Sequence, residues 1–279
     1  MIKRETVVAG NIISRRYYGA PERVPGEKRK KKQNPTAEAV AATNRRNSER
    51  ELMIKLNYNF KPGDIHAVLT YAGEAPTTDE AKRRLRNFLS SLRRHFKKLG
   101  KVLKWIVVTE YQNKRPHHHL IVSRMDTAEL AKIWKAGHMH TTHLDESGDY
   151  RKLASYLIKE TDKTFRLPDA VSSQRFSCSR TVVAPPKKIE EVRMSEMLRD
   201  PKPVKGYHVD RDSVYRGTNP VTGIPYLEYI MVSDQPKPRL RIWPRGKKYK
   251  YREKYYDSEY RQITEYQTRF DLDFLKEGI

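Results

Sequence analysis

The chain has 279 residues, with 57 Lys or Arg against 34 Asp or Glu, a formal charge of +23. So basic a chain, with no run approaching the ~20 apolar residues of a membrane span, points to a polyanion as partner and away from a membrane. One cysteine, Cys178, excludes an internal disulfide framework and suits a reducing cytoplasm, and the lack of a Gly-x-x-x-x-Gly-Lys-Ser/Thr loop excludes an ATP-driven helicase domain.

Residues 1–57 read as a basic N-terminal arm and a helix. Residues 1–50 carry thirteen Lys or Arg against five acidic residues. The cluster Lys28, Arg29, Lys30, Lys31 and Lys32 precedes Pro35 and is expected to contact phosphates. Thr36 is a plausible N-cap for a helix reaching Leu56, because Ala37, Ala39, Val40, Ala41 and Ala42 favour that state.

Residues 58–167 alternate regularly. A strand is expected over 64–71, then a helix over 78–99. Thr77 with Glu80 three residues on has the spacing of a capping box. Ala81, Leu85, Phe88, Leu89, Leu92, Phe96 and Leu99 recur at steps of three and four, an apolar helix face, and Gly100 stops it. Strands over 103–111 and 117–123 would form a hairpin. A short helix over 127–136 and a strand over 138–144 follow. The order βαββαβ is the split βαβ, or ferredoxin-like, arrangement of an α+β fold. Its antiparallel sheet would carry helices on one face and keep the other for function. A further helix over 149–163 is added to it.

Residues 168–279 form a basic, loop-rich C-terminal region, expected to be a DNA-binding or accessory segment. Pro185, Pro186, Pro201 and Pro203 interrupt it. A helix is expected from Ile189 to Leu198 and a strand from Tyr226 to Val232. Near the end, Lys247, Lys248, Tyr249, Lys250 and Tyr251 interleave cations with aromatic rings. That pattern suits single-stranded nucleic acid, where rings stack on bases and cations follow phosphates.

The chemistry concentrates at the hairpin. His117 and His119 are two apart, so on a strand they share a face, while His118 points the other way. Glu110 ends the preceding strand and would fold back beside them. One carboxylate and two imidazoles on a sheet face make three metal ligands, with positions left open for solvent or a phosphate oxygen. A carboxylate and a phosphate favour Mg²⁺ or Mn²⁺, and the imidazoles tilt the balance toward Mn²⁺. His138, His140 and His143 lack an acidic or cysteine partner at useful spacing and read as a polar strand near DNA. On the added helix Tyr156 and Lys159 share a face. Arg115 and Lys152 are the expected DNA contacts of the core.

These motifs together resemble the HUH endonucleases, specifically the single-tyrosine rolling-circle replication initiators of Gram-positive plasmids, phages and integrative elements. Asp64 to Tyr71 is similar to the family's first motif, Arg115 to Val122 to its metal-binding motif, and Tyr156 to Lys159 to its nucleophile motif. Some relatives carry a second Tyr where this chain has Lys152. Trp134 to Gly137, Arg175 to Arg180 and Pro203 to Asp210 also look like phrases from such initiators. The likeness runs over roughly residues 25 to 235. It implies that Tyr156 is the nucleophile, that Lys159 assists it, and that Mg²⁺ or Mn²⁺ is the cofactor. It also implies a 5′-phosphotyrosine link and a free 3′-OH primer. The expected partners are single-stranded or hairpin origin DNA and, in a bacterial cytoplasm, a host helicase, a polymerase and a single-strand-binding protein. Two alternatives stand beside it. A single-tyrosine transposase or a relaxase would run the same chemistry, although a relaxase usually places its tyrosine before the histidines and such a transposase is little more than the core. A non-catalytic basic nucleic-acid-binding protein is the other.

Overall fold

The computed structural model describes residues 1–19, 38–112, 115–161, 170–172, 174–218 and 224–234. In chain order, strands β1 (Ile2–Ala9) and β2 (Ile12–Gly19) come first, then helix α1 (Glu38–Asn59). The core follows as β3 (Ile65–Leu69), α2 (Thr78–Lys98), β4 (Trp105–Gln112), β5 (Arg115–Val122), α3 (Thr127–Ile133) and β6 (Met139–His143). Helix α4 (Arg151–Thr161) and strands β7 (Ser177–Cys178) and β8 (Lys188–Val192) come next. Helix α5 (Met194–Leu198) and strands β9 (Tyr207–Val209), β10 (Tyr215–Thr218) and β11 (Pro225–Ser233) end the described chain.

The core is the expected α+β unit. Its sheet has the order β6-β3-β5-β4, with β7 added at the edge, and every pairing is antiparallel. Taken as four strands in sequence this is the order 4-1-3-2, which two crossovers of a split βαβ produce. The α2 start bears out the capping-box reading: Glu80 N–H donates to Thr77 Oγ1 and Thr77 N–H to Glu80 Oε2. Ala81, Phe88, Leu92 and Phe96 bury its apolar face against Ile65, Leu69, Leu120 and Val122. Just beyond α3, Gly137 passes so close to the end of β3 that an added Cβ would stand 2.2 Å from the Thr70 carbonyl oxygen. Only glycine permits that approach.

The second face of this sheet is not left open along its length. Ile106, Val108 and Ile121 pack beneath α1 and α4, with Leu52, Leu56, Leu157 and Ile158. Burying these side chains contributes about 1.5–3 kcal/mol each relative to exposure, so the roof is firmly seated. It is also pinned by polar contacts. Buried Asn57 on α1 accepts from the Tyr150 N–H through Oδ1, and Asp149 Oδ1 accepts from Arg151 N–H at the first turn of α4. The direction of α4 is therefore set from α1.

Two regions differ from the sequence reading. Residues 2–19, read as part of a basic arm, form a hairpin around Gly10 and Asn11, with Ala9 opposite Ile12 and Gly10 at a φ of 62°. Gly-Asn at such a turn is a hairpin signal, and the count of basic residues obscured it. The hairpin lies inside a second, six-stranded sheet of order β10-β11-β2-β1-β8, with β9 also paired to β11. The expected helix from Ile189 to Leu198 is a strand followed by a short helix. Residues 188–192 pair with 2–6, and sheet pairing outweighs the local helical pattern. The cluster Lys28 to Lys32, the cap Thr36 and the tail Lys247 to Tyr251 lie outside the described residues. Among the described residues no helix is long and apolar enough to cross a membrane.

Candidate active site

Strand parity brings the predicted residues together. Glu110 pairs with His117 and Val108 with His119, so Glu110, His117 and His119 lie on the face that carries α4. Glu110 Oε1 stands 3.0 Å from His119 Nε2, and both side chains are buried. The Tyr156 ring meets His119 edge-on, with centroids 5.6 Å apart and planes at 80°. Tyr156 is nonetheless 45% exposed, whereas Tyr150, the other tyrosine of this segment, is 3% exposed and points its hydroxyl at the Asp145 carbonyl. Lys159 is exposed one turn beyond Tyr156 on α4.

His118 has the opposite orientation, as parity requires. It is fully buried, with Nε2 2.8 Å from the Tyr71 hydroxyl and Nδ1 2.9 Å from Thr109 Oγ1. Burial pushes its pKa down to about 3, with His117 and His119 adding to the effect. It is a neutral core histidine.

His66 was not singled out from the sequence, though it lies inside the first motif. Its Nε2 stands 3.1 Å from His119 Nδ1, and the two rings stack with centroids 5.3 Å apart. Burial, with smaller contributions from His119 and His140, holds its pKa down to about 4. A neutral His66 can accept the His119 Nδ1 proton, which leaves the His119 Nε2 lone pair turned toward Glu110. This is how a second imidazole fixes the tautomer of a metal-binding one. The signal was available: His66 alternates with Ile65 and Ala67, so it had to share a face with His119 if those strands paired. His140 is exposed opposite Val68, on that same face.

The donor set fits a hard divalent cation. His119 Nε2 is buried and within 3.0 Å of a carboxylate oxygen, yet it makes no aligned hydrogen bond. Such an atom is suited to donate to a metal. The third donor is in register but not closed in: among the described residues, no three His, Cys, Asp or Glu side chains gather around one point as ligands. Burial lowers the pKa of His117, which favours the neutral, ligating form.

The remaining sites spread out. Arg115 donates to the Gly73 carbonyl at the hairpin end of the core sheet. Lys152 is exposed on α4, one turn before Tyr156. The pKa of Tyr156 is raised, first by burial and then by the negative charges of Glu110 and Glu160.

Comparison with known families adds one finding. Residues 65–165 match the model of a family described as replication-associated protein, of the ORF2 type. This segment runs from β3 through α4 and holds every residue of the constellation. The core of the chain is therefore similar to replication-associated proteins. No curated protein and no solved structure matches the chain.

Proposed function

We propose that the protein initiates rolling-circle DNA replication by nicking one strand at an origin, with Tyr156 as the nucleophile. The observation that carries this reading is the exposed Tyr156 ring resting on His119 beside Glu110, within the segment similar to replication-associated proteins. Glu110, His117 and His119 would hold Mg²⁺ or Mn²⁺, which when bound supplies positive charge to a phosphate that otherwise repels a phenolate.

The chain's own residues do the rest. Tyr156 loses its proton to solvent, to which it is open. Its oxygen attacks the phosphorus, forming the phosphotyrosine bond as the bond to the 3′ oxygen breaks. The 3′ oxygen takes a proton and leaves as a free 3′-OH, and the 5′ phosphate stays on Tyr156. Attack of a 3′-OH on that link reverses the step without ATP, because the bond energy is retained. Lys159, a turn away, offers positive charge to the phosphate oxygens. His66 holds the His119 ring, and α1 holds α4 through Asn57 and thereby holds Tyr156 over the sheet. The substrate is single-stranded or hairpin origin DNA, with strand opening and synthesis left to a helicase, a single-strand-binding protein and a polymerase of a bacterial host cytoplasm.

The test is to incubate the protein with single-stranded oligonucleotides and Mn²⁺ and look for a denaturant-resistant adduct. Peptide mapping should place the nucleotide on Tyr156. Binding without any adduct, with every metal tried, would reduce the protein to a nucleic-acid-binding module.

A further inference from the structure

A cleft of about 360 Å³ lies between the second sheet and the α1–α4 roof, a volume within the range of small-ligand sites. Arg46 and Arg50 of α1, Lys152 and Ser155 of α4, Tyr215 of β10 and Glu228 of β11 line it. The Arg46 guanidinium lies 4.0 Å above the Tyr215 ring and donates to the Tyr226 hydroxyl. Tyr215 and Tyr226 lie side by side, with centroids 5.4 Å apart and planes at 33°. Even with these neighbours Tyr215 keeps 37% of its surface exposed. Lys152 precedes Tyr156 by four residues, so the two stand on one face of α4, about 5 Å apart along its axis. The cleft thus opens one helical turn from the phenol.

The lining indicates the ligand class. A site for a bare anion would be cationic throughout, but here carboxylates, Glu228 among them, stand beside Arg46, Arg50 and Lys152. A nucleotide satisfies all of them. Its phosphate takes the cations, its base lies on an aromatic or guanidinium plane, and the base edge offers N–H donors to a carboxylate. We propose that this cleft seats one nucleotide of the DNA strand whose neighbouring phosphate Tyr156 attacks, with the base on Tyr215 and a phosphate on Lys152. The identity of the strand rests on the function proposed above. The second sheet then gains a role in positioning. With α1 and α4 it forms the wall that fixes how far the strand advances along α4 before its phosphate reaches Tyr156.

The test measures binding of fluorescein-labelled oligothymidylate by anisotropy in EDTA, in a Tyr156→Phe background so that no strand is cut. Tyr215→Ala should raise Kd by roughly 5- to 100-fold, the loss expected for one stacked base, while Tyr215→Phe keeps the ring and should retain binding. Lys152→Ala, at an exposed position where the fold is not at risk, should reduce the slope of log K against log salt by about 0.7. Lys101→Ala, before β4 at the far end of the core sheet, should not change the slope. Binding by Tyr215→Ala and Lys152→Ala indistinguishable from the Tyr156→Phe parent would overturn the assignment. The nuclease reading is scored separately, by adduct formation in protein that keeps Tyr156. Unchanged binding by the variants alongside intact adducts removes only the cleft. Weakened binding with no adduct in the Tyr156 protein supports the cleft and removes only the chemistry.

Discussion

Glu5 in the second sheet and Glu110 in the core sheet are both 2% exposed, yet they are held in different ways. Glu5 sits among cations, 3.2 Å from Arg16, 2.9 Å from Arg50 and 3.8 Å from Lys187. Those charges outweigh burial and hold its carboxyl below the usual range. Glu110 faces an imidazole nitrogen and lies close enough to Tyr156 to raise the phenol pKa. Equal burial therefore does not mean equal purpose. A carboxylate met by guanidinium groups holds two strands and a helix together. A carboxylate turned to a histidine nitrogen that makes no aligned hydrogen bond is arranged to share a cation with it.

The largest expected effects break this comparison directly. Tyr156→Phe should abolish the covalent adduct and leave the melting temperature close to the parent's, because it removes one hydroxyl from a partly exposed ring. Glu110→Ala, His117→Ala and His119→Ala should each cut nicking by orders of magnitude in a supercoiled-plasmid assay. Glu5→Ala should do the reverse. It strands Arg50 and Arg16 and should cost about 3–5 kcal/mol of stability, as expected for breaking a buried ion pair, while nicking per folded molecule persists. A Glu5 variant that is stable but inactive would mean that the second sheet also shapes the chemistry.

A smaller effect should separate two neighbours on β5. His118→Ala leaves the Tyr71 hydroxyl and Thr109 Oγ1 without their shared partner in a dry core. It should cost about 3 kcal/mol in chemical denaturation, with nicking retained below the melting temperature. His119→Ala should show the converse, a small loss of stability and a large loss of nicking. The same profile in both would contradict the strand parity on which the site is built.

That parity was legible because it needs only spacing. Glu110, His117, His119 and Tyr156 could be placed from alternation, a hairpin and a helix that follows it. The 4-1-3-2 sheet was readable for the same reason, since each crossover helix announced itself through its apolar repeat or its cap. His66 was missed because its role depends on which strand lies next to β5, a pairing that local pattern does not encode. The second sheet was missed for another reason. Its strands carry Arg4, Glu5, Arg15 and Arg16 inside a packed layer, where long-range ion pairs such as Arg4 with Glu190 and Glu196 neutralise them. From the sequence, those charges looked like a solvated arm. As a consequence, deleting residues 1–35 would remove β1 and β2 with the basic cluster. A test of Lys28 to Lys32 must instead substitute those residues in the intact chain.

The two sheets should also part company with pH. His118 and His66 have pKa values pushed down to about 3 and about 4, so the unfolded chain takes up protons at these positions before the folded one does. Their contribution is complete above about pH 6.5 and is lost as pH falls from there toward 4. Between pH 6.5 and 5 the loss for a fully buried histidine is about 2 kcal/mol. The lowered carboxyls of the second sheet, Glu5 and Glu190, act in a lower window. Their contribution is present above the ordinary carboxylate pKa and is lost only as pH falls below it. Amide exchange in EDTA should therefore show the core sheet loosening first on acidification. Simultaneous loosening of the two sheets would mean that the histidines titrate freely.

The finest effect concerns the charge that Glu110 places beside the nucleophile. Burial raises the Tyr156 pKa most, and Glu110 and Glu160 raise it further. Glu110→Gln keeps the side-chain shape and removes one of those charges, so the phenol should ionise at lower pH than in the parent. Glu160→Gln should act in the same direction and less strongly, since Glu160 ranks below Glu110 among the causes. The measurement is a pH titration of ¹³Cζ-tyrosine spectra, with Tyr156→Phe identifying the resonance among the 17 tyrosines. Adding Mn²⁺ would broaden the signal, so Mg²⁺ is the ion to use. If Glu110 is a ligand, Mg²⁺ should lower the Tyr156 pKa in the parent and have little effect in Glu110→Gln. Equal downward shifts in both proteins would place the ion away from Glu110. No change in the Tyr156 pKa on losing the Glu110 charge would show that the carboxylate and the phenol are not electrostatic neighbours in solution.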